Sequence, residues 1–236
     1  MPRLFDHFLT VSRHSAQTLR APPAKTTVIY GGADPRRFFP DTADRRSGVL
    51  FVGRLTPHKG VDRLIRALPA GAELTCVGTG GHDPQPPESG YGQLLGRLAS
   101  GRQVTFAGEV PERELPVLYR RARVVVLPSV HRTCYGREME ISELLGLSVL
   151  EAMASGTPVV CSRLGGLPEV VQDGTTGFLV TPGDVDELHD RIATLLTDVQ
   201  LAARMGSRAR ELVLDRFTWQ ACAARCLAAY DELLRG

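Results

Sequence analysis

From Gly48 onward the chain repeats one pattern: a short run that is apolar throughout, a segment with helical spacing, then another apolar run. The runs lie at 49–52, 74–77, 104–107, 124–127, 159–161 and 178–180, and helices are expected between them at 61–68, 91–100, 111–122, from about 146 to 155, and near 168–171. A strand with no polar face has to be covered on both sides, and intervening helices let successive strands run parallel. The pattern therefore specifies an α/β fold with a doubly wound parallel sheet, followed by C-terminal helices at 184–196, 201–214 and 219–234. In such a sheet the first and fourth of these strands are neighbours, and ligands bind in the crevice at their carboxyl ends. The stretch ahead of the pattern reads as a strand at 8–12, a helix at 13–20 and a strand at 26–30. That unit is too small to make a core, so it is expected to pack on something else. A polar, Arg-rich linker follows it.

The 236 residues make one large or one and a half ordinary domains. Basic and acidic residues nearly balance at a net charge of +2, so no nucleic acid partner is implied. The five cysteines are odd in number and lack Cys-x-x-Cys spacing, which fits a reduced, cytoplasmic compartment. Cys76 and Cys161 sit in apolar runs as small hydrophobes. No run approaches the ~20 apolar residues of a transmembrane segment. Peripheral membrane contact stays open.

Two loops carry the chemistry. Gly53-Arg54 to Lys59-Gly60 follows the first strand directly, and its two cations suit a diphosphate, Arg54 by paired hydrogen bonds and Lys59 as a point charge. The alternative is a solvated basic loop. The second stretch, Glu143 to Val160, reads as a carboxylate, a glycine, a helix bearing Glu151, and a Gly-Thr-Pro break before a strand. Gly146 leaves a helix mouth open to a polar or anionic ligand. At about 1.5 Å per residue, Glu151 lies roughly 7 Å beyond that mouth along the axis. Neither loop is a Gly-x-Gly-x-x-Gly or a P-loop, which argues against a nicotinamide dehydrogenase or a P-loop nucleotidase. Residues 78–81 read as a turn, and Gly165-Gly166 as either a turn or a second helix mouth. His58, His131 and His189 read as surface residues without metal-ligand spacing. Cys134-Tyr135-Gly136 falls in the long loop 128–142, where it would line a pocket. Phe217 and Trp219 read as packing anchors.

Taken together, Val52-Gly53-Arg54-Leu55…Lys59-Gly60, Glu143-x7-Glu151 with Gly146, the run from Ala152 to Val160, and Gly165-Gly166-x-x-Glu169…Asp173-Gly174-x-x-Gly177 resemble the retaining GT-B glycosyltransferases of the group-1 (GT4) family. The likeness runs from about residue 8 to the end. It implies the Rossmann-like C-terminal domain of that fold, binding a nucleotide diphosphate sugar without metal or cofactor. Arg54 and Lys59, with Gly53 beside them, would meet the diphosphate and Glu151 the ribose. Glu143 and the backbone of Gly146 and Leu147 would meet the sugar, and the loop at Glu109-Val110 the base. Hexose transfer would proceed with retention, the departing phosphate taking the acceptor proton, so the two glutamates are not a hydrolase pair. The resemblance divides the chain into a remnant of the N-terminal domain (1–34), a linker (35–47), the donor domain (48–214) and a helix that would cross back to the N-terminal domain and lose its docking surface without it (215–236). Three readings follow. The chain is a transferase whose acceptor domain another chain supplies, a truncated module that binds a nucleotide sugar, or a non-catalytic partner subunit.

Overall fold

The computed structural model describes residues 5–41, 46–80, 88–140 and 143–235. Parts of the linker (42–45), of the turn and insert after the second strand (81–87) and of the long loop (141–142) lie outside the described residues.

The N-terminal unit forms as expected. Ser12 caps α1 (Arg13–Thr18) by accepting from the Ser15 N–H, while Ser15 reaches back to the Ser12 N–H, a reciprocal pair that fixes where the helix starts. α1 joins β1 (Phe8–Thr10) to β2 (Thr26–Val28), which pair in parallel as a separate two-stranded sheet. The main sheet has six parallel strands, β3 (Ser47–Val52), β4 (Leu74–Val77), β5 (Val104–Gly108), β6 (Ala122–Leu127), β7 (Val159–Ser162) and β8 (Gly177–Val180), in the order β5-β4-β3-β6-β7-β8. The order reverses at β3 and β6, which pair through Val49–Val124 and Leu50–Val125, so the first and fourth strands of the repeat are neighbours. Successive residues Val124 to Leu127 and Val159 to Ser162 are all buried, which requires cover on both faces. β5 departs from that rule. It lies at the sheet edge with Thr105, Phe106 and Ala107 exposed.

The helices are α2 (Val61–Ala67), α3 (Tyr91–Ala99), α4 (Leu115–Arg121), α5 (Leu147–Ala154), α6 (Leu167–Val170), α7 (Val185–Thr197), α8 (Val199–Arg216) and α9 (Trp219–Arg235). α4 starts later than the expected 111, because Pro111 to Glu114 form a turn closed by Glu114 N–H on the Pro111 carbonyl. Helices α2 and α7 pack together, as do α5 and α8. Gly206 permits the second contact, since a Cβ there would lie 2.1 Å from the Gly156 carbonyl oxygen. The described part of the linker is packed against the domain: Phe38 is buried edge-on to Tyr119, and Arg37 bonds the Glu112 carbonyl at 2.7 Å. The last helix docks through the residues that lead into it, through Arg225 and through the buried Ala229. Phe217 is fully buried against Tyr30, Ala33 bridges to Thr218, and Arg225 bonds the Ile29 carbonyl at 3.1 Å. Leu227, Tyr230 and Leu234 farther along are exposed. Among the described residues no helix is long and apolar enough to cross a membrane.

Two guanidiniums close the C-terminal end of α5. Arg46 donates to the Ser155 carbonyl at 2.8 Å and to the Thr157 hydroxyl, while Arg210 donates to the carbonyls of Ala154 and, at 3.1 Å, Phe38. Cations at that end satisfy carbonyls the helix leaves open and oppose its negative pole. Arg210→Met keeps most of the apolar stem and is expected to lower the unfolding free energy by about 2 kcal/mol in urea melts, the value of a charge-assisted hydrogen bond to a part-buried carbonyl.

Candidate functional site

The loop after β3 is clipped to the neighbouring strand end. Gly53 N–H bonds the Val77 carbonyl at 3.0 Å and Leu55 N–H bonds the Thr79 carbonyl at 2.7 Å. Gly78, at φ +121°, lies so close that a Cβ would fall 2.1 Å from the Gly53 oxygen, so the turn after β4 serves as the floor of the Arg54 loop. A single 3₁₀ turn, Pro57–Lys59, ends at Gly60, whose φ of +70° lets the chain press on the Pro128 carbonyl. Val130 N–H then bonds the His58 carbonyl at 2.9 Å. Lys59 is thereby carried from the end of β3 to the end of β6.

There it meets Glu143. The carboxylate is 6% exposed, and its Oε1 accepts both the Lys59 ammonium and the Ser129 hydroxyl, the latter at 2.7 Å. The Gly165-Gly166 pair is a turn pressed on the Glu143 loop that also opens the short α6, Gly166 being the residue before it. Gly166 N–H donates to the Glu143 carbonyl at 3.2 Å, and a Cβ on Gly165 would fall 2.0 Å from that oxygen. Gly146, at φ +93°, is the residue before α5, and its carbonyl accepts the N–H groups of Val149 and Leu150. The N–H groups of Leu147 and Ser148 have no acceptor within the helix, as at any helix start.

These pieces line one cavity of about 840 Å³. Gly53, Arg54, Lys59, Glu143, Gly146 and Leu147, all singled out from sequence, border it. Arg54 is exposed. Two cations and one carboxylate line the cavity, together with Val11, Ile29, Tyr30 and Gly31 of the N-terminal segment and Trp219 and Cys222 of α9. Three expectations change here. Trp219 is no buried anchor but 48% exposed on the cavity wall, since Phe217 fills the core position instead. His58, expected at the surface, is half-buried and borders the cavity because the 3₁₀ turn folds it inward. His189 is likewise drawn in, bonding the Ala67 carbonyl at 2.9 Å.

Glu151 and Val110 do not border this cavity. Glu151 sits one helical turn beyond Leu147 and accepts the Tyr119 hydroxyl at 2.8 Å. Burial holds its carboxyl above the usual carboxylate range, opposed by the Tyr119 hydrogen bond and by the charge of Arg37. Arg37 is paired with Glu112, two residues after Val110, so Glu151 faces the loop between β5 and α4. Ser129 and Tyr119, which orient the two glutamates, carried no signal beyond being polar groups at element ends. Burial pushes the Cys76 thiol up to about 12 and raises Cys161, Cys134 and Cys222 too. Cys134 is exposed and lies away from the cavity, contrary to its expected place in a pocket wall. Among the described residues no group of three or more His, Cys, Asp or Glu side chains is arranged to hold a metal ion.

Comparison with known proteins gives a consistent result. Residues 35–212 match the family model described as Glycosyl transferases group 1. The chain is 36% identical over 236 residues to the GDP-mannose-dependent alpha-(1-6)-phosphatidylinositol monomannoside mannosyltransferase of Mycobacterium tuberculosis, covering 91% of this chain and 57% of that protein. It is 34% identical to the D-inositol 3-phosphate glycosyltransferase of Corynebacterium glutamicum, covering 91% and 53%. Among solved structures, Anabaena HepE in complex with UDP-glucose superposes with a TM-score of 0.82 at 26% identity, covering all of this chain and 65% of that one. Sucrose-phosphate synthase from Thermosynechococcus elongatus gives 0.78 at 29%, covering 96% and 58%. The chain spans a little over half the length of the curated relatives it matches.

Proposed function

The chain belongs to the group 1 glycosyltransferases, and we propose that its cavity binds a nucleotide diphosphate sugar and presents the hexose for transfer to an acceptor hydroxyl with retention of configuration. The observation that carries this reading is the meeting, in one cavity, of the Arg54 and Lys59 cations from the end of β3 with Glu143 and the open helix mouth from the end of β6. A diphosphate placed between Arg54, Lys59 and the N–H groups at the start of α5 has its charge neutralised from three sides. The sugar then lies against Glu143, whose second oxygen is left to accept from a hydroxyl. As the bond from the anomeric carbon to the phosphate oxygen breaks, charge grows on the diphosphate, where the two cations stabilise it. The new bond forms from the acceptor oxygen on the same face, and the acceptor proton passes to the departing phosphate. No metal or cofactor is part of this reading. The acceptor is held by a further domain or polypeptide.

The names of the relatives and neighbours include both GDP-mannose and UDP-glucose, so the test is a calorimetric titration with UDP, GDP, UDP-glucose and GDP-mannose. Binding of at least one is expected, weakened about tenfold by Arg54→Ala through loss of a charge-assisted contact. No binding of any of the four would remove the proposal.

Glu151 belongs, in this reading, to the ribose end. Its folded-state pKa is raised, so the folded chain holds the proton more tightly than the unfolded one. Stability from this group is therefore present below about 4.5 and is lost as pH rises through the higher folded value. Glu151→Gln, which keeps an acceptor for Tyr119, is expected to melt above the wild type at neutral pH, the gap closing as pH falls toward 4.5. The same variant should bind the nucleotide about tenfold more weakly, because an ionised acceptor for ribose hydroxyls is gone. Melting curves and titrations across pH check both signs.

A further inference from the structure

Both oxygens of the Glu169 carboxylate are occupied by the N-terminal segment. Oε1 accepts the His14 N–H at 2.9 Å, and Oε2 accepts the Arg13 N–H at 2.9 Å and the Tyr30 hydroxyl at 3.1 Å. Glu169 lies in the four-residue α6, and the turn that enters α6 is the Gly165-Gly166 pair pressed on the Glu143 loop. The turn into α6 thus holds the Glu143 loop, while Glu169 holds the segment carrying Tyr30 and Gly31. Both of those border the same 840 Å³ cavity and pack on each other, since a Cβ on Gly31 would lie 2.9 Å from the Leu145 and 3.0 Å from the Leu147 side chain, while Glu169 itself does not border the cavity. Tyr30 is held at φ +52°, a conformation uncommon for a side chain other than glycine. Its ring is fixed edge-on against Phe217 and under the Arg225 guanidinium, and its hydroxyl by Glu169. Strain of this kind persists only where the surroundings over-determine the backbone.

We infer that Glu169 is a positioning residue that shapes the cavity, fixing the Tyr30-Gly31 segment against the Glu143–Leu147 segment on which it packs. The geometry stands without any ligand, and its consequence for the sugar rests on the donor-site reading above. Charge-assisted hydrogen bonds to two main-chain N–H groups and a tyrosine make the carboxylate hard to replace. A wall held this way keeps the sugar in one pose, whereas the diphosphate contacts of Arg54 and Lys59 are independent of it.

The chain's single tryptophan reports on this wall, since a Cβ on Gly31 would lie 3.9 Å from the Trp219 indole. In the ligand-free protein, Glu169→Ala is expected to speed amide exchange at Arg13 and His14 by about tenfold relative to β6 and β7. It should also shift Trp219 emission to the red. Glu169→Gln keeps one accepting oxygen and the side-chain volume, and should restore part of both signals. In whichever of UDP-glucose and GDP-mannose binds, Glu169→Ala should reduce the ratio of nucleotide-sugar to bare-diphosphate affinity about fivefold, with the diphosphate affinity itself unchanged. An unchanged Trp219 spectrum with unchanged exchange at Arg13 and His14 overturns the inference. So does an equal loss of protection through β3 to β8, the mark of a residue that only stabilises the fold. Should the wild type bind no nucleotide, the donor-site reading fails, while the ligand-free signals still decide the role of Glu169.

Discussion

Lys59→Ala is expected to destabilise the fold by about 3 kcal/mol and to weaken nucleoside diphosphate binding about a hundredfold. The two losses have different causes. Glu143 is 6% exposed, and without the ammonium its charge is left with a single hydroxyl partner, Ser129. An ion stripped of its partner in such a place is far more harmful than the pair was helpful, because desolvation of the remaining charge is no longer compensated. The binding loss follows from removing one of the two cations that border the cavity on the diphosphate side. A double variant separates them. Lys59→Ala with Glu143→Gln has no buried charge to strand, so urea melts should recover most of the stability, while calorimetry should recover none of the diphosphate affinity. Full binding by the double variant would show that Lys59 never met the ligand.

How far the sequence led to this site depends on the range of the contacts involved. Continuous apolar runs such as Val124 to Leu127 report burial on both faces and so the parallel sheet. Once the sheet order is known, the ends of β3 and β6 must adjoin, which brings Lys59 to Glu143 across 84 residues. β5 shows the limit of the same signal: Phe106 belongs to an apolar run yet is exposed, whereas every residue of β8, the other edge strand, is buried. Side-chain pairings that depend on how loops fold back had no periodicity to betray them. Ser129 on Glu143, Tyr119 on Glu151 and the three donors on Glu169 are of this kind. Trp219 misled for a related reason. A tryptophan two residues from a buried phenylalanine looks like more core, but side chains two apart at a helix start point to different sides.

The largest effect expected from a change that removes no functional group is that of Gly165→Ala. The residue has φ +60°, where a Cβ meets its own backbone and costs about 1–2 kcal/mol. Here the Cβ would also lie 2.0 Å from the Glu143 carbonyl oxygen and 3.1 Å from the Glu143 Cβ. Backbone atoms cannot rotate aside as the tip of a side chain can, so the loop has to move. A shift on the order of 1 Å there displaces the carboxylate from Lys59 and Ser129 together, and misplacement of that size is worth about a hundredfold in a preorganised site. Gly71→Ala supplies the control. Its φ of +74° imposes comparable strain, but nothing lies within 4 Å of the added methyl. The two variants should therefore both lose the conformational part in urea melts, whereas Gly165→Ala alone should lose nucleotide affinity in calorimetric titration. Equal titration curves for the two would mean that the Gly165 approach to Glu143 has no part in shaping the cavity.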